Sequence, residues 1–142
     1  MSDLYDTDIL TWSERQTELL RRVAAGERVN DQVDWANVIE ELESVGRSDL
    51  NAVSSWLIQA LRHDLKAEAG PLSRDVPHWR AEARGFRALA RQRFTASMRQ
   101  RIDVVDLYRV ALAGLPETMD GLAPLPVPDV CPVTLGELLG ED

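Results

Sequence analysis

Few side chains in this 142-residue chain are of the kinds that do chemistry, and their spacing decides how far each can go. Glu40, Glu41 and Glu43 crowd one acidic stretch, and Glu40 and Glu43, three apart, share a face if that stretch is helical. With His63 on the following amphipathic segment, Glu40 and Glu43 are the candidate metal ligands, and a metal held there would support hydrolysis. A carboxylate-bridged centre in a helical bundle wants two Glu-x-x-His pairs on different helices, yet position 60, three before His63, is alanine. His63 and His78 are the only histidines, so a three-histidine site is excluded. The favoured alternative is structural. Glu43 pairs with Arg47 four residues on, while Glu40 and Glu41 face solvent or a neighbouring arginine. His63, in line with Trp56 and Ala60, becomes a hydrogen-bonded residue at the edge of an apolar face.

The second set is cationic. Arg80, Arg84, Arg87 and Arg91 are spaced i, i+4, i+7 and i+11, which sets four guanidinium groups along one helix face. Each follows a core candidate (Trp79, Ala83, Phe86, Ala90), so the stems can pack while the heads reach across. Three partners suit such a row: the acidic side chains of the Asp34–Glu43 stretch, a second protein, or phosphate. The aromatic residues interleaved with it point inward, which suits a core better than base stacking. The internal partner is the favoured expectation, and the row is then an ion-pair face.

Other chemistries fail on their residues. His63-Asp64 has no Gly-x-Ser-x-Gly elbow to serve, and no P-loop or Gly-x-Gly-x-x-Gly run exists for nucleotides. Cys131, the only cysteine, precedes a proline and a helix cap and is read as a small buried hydrophobe. No catalytic residue and no cofactor is therefore assigned, and the chain leans away from being an enzyme.

Helices must position these groups. A first helix is expected from about Asp6 or Thr7 to Ala25, with Gly26 ending it. Trp35, Val38, Ile39, Leu42 and Val45 then form a one-sided apolar stripe at helical spacing. The apolar phase carries on through Leu50, Val53, Leu57, Leu61 and Leu65, which favours one long helix despite Gly46. In that reading Gly46 marks the close approach of another backbone. Asp75-Val76-Pro77 opens the next helix, and Ser97-x-x-Gln100 resembles a capping box for one running to about Ala113. Five of the seven prolines fall in the last 30 residues, which predicts an extended strap over the bundle before Thr134-x-x-Glu137 caps a short final helix. The expected architecture is all-α: a bundle of about five helices in a single domain 1–142, with core 1–114 and a packed tail 115–142.

Composition agrees and adds a charge pattern. Net charge is −8, with 44% hydrophobic residues and no apolar run long enough to span a membrane. Residues 1–70 carry 14 acidic and 7 basic side chains, residues 71–112 carry 4 and 9, and residues 113–142 carry 6 and none. An acidic whole disfavours nucleic acid and anionic membrane as partners. One cysteine and an acidic start without a secretory pattern point to the cytoplasm.

Four landmarks carry a family resemblance: Leu4-Tyr5-Asp6-Thr7-Asp8 with Trp12, Asp34-Trp35 through Gly46-Arg47-Ser48, His63-Asp64-Leu65-Lys66, and Cys131-Pro132-Val133-Thr134-Leu135 with Glu137-Leu138-Leu139. Their order and spacing resemble the bacterial family called domain of unknown function 29. Ala67-Glu68-Ala69 departs from the bulkier, aromatic-containing stretch that the resemblance leads one to expect there. The resemblance implies a small all-helical protein and no reaction, cofactor or catalytic residue. Three readings of function stay open. The favoured one is a small cytoplasmic binding or interaction protein, joined to an unidentified protein or to itself. The others are a nucleic-acid-linked role, through the arginine row or as an acidic mimic, and a metal-dependent hydrolase using Glu40, Glu43 and His63.

Overall fold

The computed structural model describes residues 3–141, and among them the fold is all-α, with six α-helices and two short 3₁₀ turns. No helix among the described residues is long and apolar enough to cross a membrane. The chain divides into two compact units, residues 1–47 and residues 48–142.

The first unit holds α1 (Asp3–Thr7), α2 (Ile9–Ala24) and the N-terminal part of α3 (Trp35–Ala69). Asp8, and not Asp6 or Thr7, caps α2. Its carboxylate accepts from the Thr11 amide at 3.1 Å and the Thr11 hydroxyl at 2.7 Å, filling donors a helix start leaves open. At the other end Gly26 takes φ +90°, and the Gly26 and Glu27 amides return to Val23 and Arg22 carbonyls, each at 3.0 Å. That left-handed step needs glycine. Trp12, Leu19, Val29, Val33 and Val38 make the core, with Tyr5 edge-on to Trp12 at 4.8 Å between ring centroids.

Helix α3 runs unbroken through Gly46 for 35 residues. The apolar stripe at its start behaves differently from what its periodicity suggests. Only Val38 is buried, while Ile39, Leu42 and Val45 are 51%, 69% and 65% exposed. Spacing places these residues on one side of a helix but says nothing about whether their own chain covers that side.

In the second unit the rest of α3 supplies the spine. Val53, Leu57, Leu61 and Leu65, at i, i+4, i+8 and i+12, are all buried in the main core. Ala67 and Ala69 are buried too. Helix α4 (Val76–Arg93) presents Ala83 and Ala90 to the interior, with Phe94 just beyond it packed on the core. The expected capping box at Ser97 does not form. The Ser97 and Thr95 hydroxyls meet at 3.1 Å, residues 96–98 make a 3₁₀ turn, and α5 (Val104–Ala113) starts later. Asp103 caps it by accepting from the Val105 amide at 3.0 Å.

The Pro-rich segment lies against this unit. Met119 and Leu122 exchange backbone hydrogen bonds across Asp120-Gly121, both at positive φ, which is the two-residue turn that Asp-Gly favours. Leu125 donates to the Ala69 carbonyl at 2.8 Å, and the Pro128 carbonyl accepts from the Tyr108 hydroxyl at 2.6 Å. A reciprocal Thr134–Glu137 capping box then starts α6 (Leu135–Leu139), which buries Leu138 and Leu139.

Candidate functional site

The arginine row resolves into two behaviours. Arg80 and Arg87, seven residues apart on α4, both reach Asp64 on α3. Arg80 Nη1 lies 2.8 Å from Asp64 Oδ1, and Arg87 Nη1 lies 2.5 Å from Oδ2. Each carboxylate oxygen thus accepts one charge-assisted hydrogen bond in a setting where the Asp64 side chain is only 22% exposed. Among the described residues neither Arg84 nor Arg91 makes an ion pair. The anion met by the row is therefore Asp64, and not the acidic Asp34–Glu43 stretch. Sequence reasoning had set Asp64 aside as the neighbour of His63, although Asp64 and Leu65 differ by one step on the helix, enough to bring Asp64 to the edge of the buried face.

A cavity of about 140 Å³ opens beside this triad, lined among others by Asp64, Glu68, Arg80, Arg87, Tyr108 and Glu137. Burial pushes the Tyr108 phenol above its ordinary value, and the charges of Glu68, Cys131 and Asp129 add to the rise. His63 stands outside it. Its Nδ1 is 2.7 Å from the Gln59 carbonyl, which can only accept, so the proton sits on Nδ1. The ring leans on Phe86 at 5.5 Å. Arg62, one residue earlier, donates to the Val110 carbonyl at 2.9 Å and the Ala111 carbonyl at 3.3 Å, satisfying the end of α5.

The metal candidates are not brought together. Glu40 and Glu43 both pair with Arg47, at 2.8 and 3.5 Å, in an exposed intrahelical set. Among the described residues no group of three or more His, Cys, Asp or Glu side chains is placed to hold a metal ion. Cys131 donates to the Val133 carbonyl at 3.2 Å and is half-buried.

The first unit contains a polar network that spacing alone did not reveal. Asp34, the residue before α3, accepts from the Trp12 indole at 3.0 Å and the Asn37 amide at 2.8 Å, while its own backbone amide donates to Gln16 at 2.8 Å. The Asn37 and Trp12 donors hold the Asp34 carboxyl below the usual carboxylate range. Gln16 is buried with its carbonyl used in this way, so the network ties α2 to the start of α3. The Tyr5 hydroxyl donates to Glu41 at 2.5 Å, and that bond first, with burial next, pushes the phenol up to about 12. A hollow of about 630 Å³ lies over the network, bounded by Trp12, Arg15, Gln16, Asp31 and Asp34. The polar groups of this network are spent on one another and on α3. It is a fold-setting device.

This unit also exposes apolar side chains. Ile39, Leu42 and Val45 stand exposed on α3, and Gly46 beside them has nothing within 4 Å of where a Cβ would project.

Comparison with known proteins places these features in a family. The family model described as Domain of unknown function DUF29 matches residues 4–142. Among solved structures, the chain is similar to an alpha-helical protein of unknown function from Rhodospirillum rubrum ATCC 11170. The two are 28% identical, with a TM-score of 0.71 over 97% of this chain and 90% of that one. No curated protein matches the chain.

Proposed function

The chain belongs to the family of Domain of unknown function DUF29, and from that premise we propose that it is a non-catalytic interaction protein working through the apolar face of α3. One observation carries the reading: three consecutive stripe residues, Ile39, Leu42 and Val45, are more than half exposed on a helix whose later stripe residues, Val53, Leu57, Leu61 and Leu65, are buried. Each such side chain gains about 1.5–3 kcal/mol when buried fully, so a contiguous set favours association over solvent. Acidic neighbours keep the face soluble while it is free. The charged cluster on α4 supports the reading indirectly, since Asp64 already holds both Arg80 and Arg87 in ion pairs.

The test is a photo-reactive amino acid placed at Leu42 in living cells, with a control at exposed Gln92. A discrete adduct at position 42, absent from the control, is the expected result. Irradiation that yields only the uncrosslinked chain at Leu42 would overturn the interaction reading.

A further inference from the structure

One atom of the Asp34 network is the exception to its closure. Gln16 is 6% exposed, and its side-chain carbonyl is identified by the Asp34 amide that donates to it, so the other terminal atom is the nitrogen. That Nε2 makes no hydrogen bond among the described residues. Among them no fully enclosed side-chain polar atom lacks a partner, so Nε2 reaches open space, and the space that Gln16 lines is the hollow of about 630 Å³. A nearly buried donor aimed into a hollow asks for an acceptor.

Two charges around the same hollow are also unspent. Arg15, beside Gln16 on α2, makes no ion pair, and neither does Asp31 in the 3₁₀ turn Asn30–Gln32. The two line one space without meeting. Leu4 and Val33 give it apolar wall.

We propose that this hollow binds a free α-amino acid with an aliphatic side chain. Its carboxylate accepts from the Gln16 amide and the Arg15 guanidinium, neighbours on one helix. Its ammonium is held by Asp31, since Asp34 Oδ2 already accepts from Trp12 and Asn37. The side chain packs on Leu4 and Val33. Charge selects a zwitterion. A simple anion would suit Arg15 but face Asp31 and Asp34, and a simple amine would face Arg15 and leave the Gln16 nitrogen unpaired. Size agrees, because small-molecule sites span about 300–1,000 Å³. The hollow is separate from the exposed face of α3, so this inference and the interaction reading stand or fall independently.

The experiment titrates the isotopically labelled full chain with L-leucine, and with acetate and isopentylamine as its carboxylate and amine parts. L-Leucine should shift the Gln16 side-chain amide and the Trp12 indole resonances saturably at millimolar concentrations, and each part should bind roughly tenfold more weakly or worse. Gln16→Glu keeps the acceptor used by the Asp34 amide and replaces the donor, so affinity read at Trp12 should fall roughly tenfold or more. Arg15→Gln, on an exposed position, should lower affinity similarly while the thermal midpoint of the free protein stays put. Asp31→Asn should weaken L-leucine without weakening acetate. No saturable shift with L-leucine overturns the inference, as does binding that survives Gln16→Glu and Arg15→Gln. Acetate binding as tightly as L-leucine would make this an anion site, and L-aspartate binding equally well would remove the aliphatic wall; either result also overturns it.

Discussion

Arg87 and Arg80 close on opposite oxygens of Asp64, so one carboxylate on α3 fixes two positions of α4 separated by two helical turns. The geometry converts a local spacing into a long-range restraint: α4 can neither slide nor rotate without losing one of the two bonds. The row of arginines is then a register device for this unit at its N-terminal half. Beyond it Arg91 lies near Gly140, where a Cβ would be 3.1 Å from Nη1.

Removing that shared anion leaves two guanidinium groups facing each other. Asp64→Ala should therefore cost about 1–2 kcal/mol, the lower part of the range for shielded pairs because Arg80 is 43% exposed. Added salt screens the residual repulsion, so the deficit should shrink between low and high ionic strength. Chemical denaturation of both proteins at two salt concentrations checks this, and an unchanged midpoint for Asp64→Ala would refute the restraint.

Asp34 gives a pH dependence of defined sign. Its folded carboxyl is held low by Asn37 and Trp12, so its contribution is complete above the unfolded carboxylate value, near pH 4, and is lost as pH falls through the lowered folded value. Asp34→Asn should be less stable than the parent near neutrality, and the gap should close in acid. Denaturation curves from about pH 6 down to about pH 2 measure it, with the Trp12 indole resonance reporting the bond directly.

How legible these arrangements are in the sequence differs by element. Gly26 and the Thr134–Glu137 pair announce helix ends because their chemistry is local: a positive φ in one case, two reciprocal hydrogen bonds in the other. Continuity of α3 is legible because the apolar phase outlasts Gly46. Partner identity is not. Arg80 and Arg87 select Asp64, and Asp34 collects Trp12 from 22 residues away, through distances that only the packed chain defines. The exposure of Ile39, Leu42 and Val45 is the sharpest case, since a buried stripe and a docking stripe share one periodicity.

The two tyrosines give a spectroscopic prediction. Tyr5 is pushed up to about 12 by its bond to Glu41, and Tyr108 is raised chiefly by burial. A phenol raised in the folded state contributes stability fully below its unfolded value, about pH 10, and loses it as pH climbs through the folded value. Phenolate absorbance of the folded protein should therefore stay low through pH 10, whereas the denatured chain titrates there. Glu41→Gln should return one of the two tyrosines toward its ordinary range, and an ordinary titration of both in the parent would remove the Tyr5–Glu41 bond from the account.

Gly114 is the position where a methyl group should do most harm in the second unit. A Cβ there would fall on the Arg62 guanidinium, which is bonded to the Val110 and Ala111 carbonyls at the end of α5. Arg62 has a flexible stem and can swing away, so Gly114→Ala should not block folding. It should instead strip two terminal carbonyls of their donor, at a cost of about 1–3 kcal/mol. The cost then belongs to the Arg62 contact and vanishes once that contact is gone. In a double-mutant cycle, Gly114→Ala should be markedly less damaging in an Arg62→Ala background than in the parent. Strict additivity of the two substitutions in urea denaturation would show that Gly114 serves the backbone alone, and that α5 ends without help from α3.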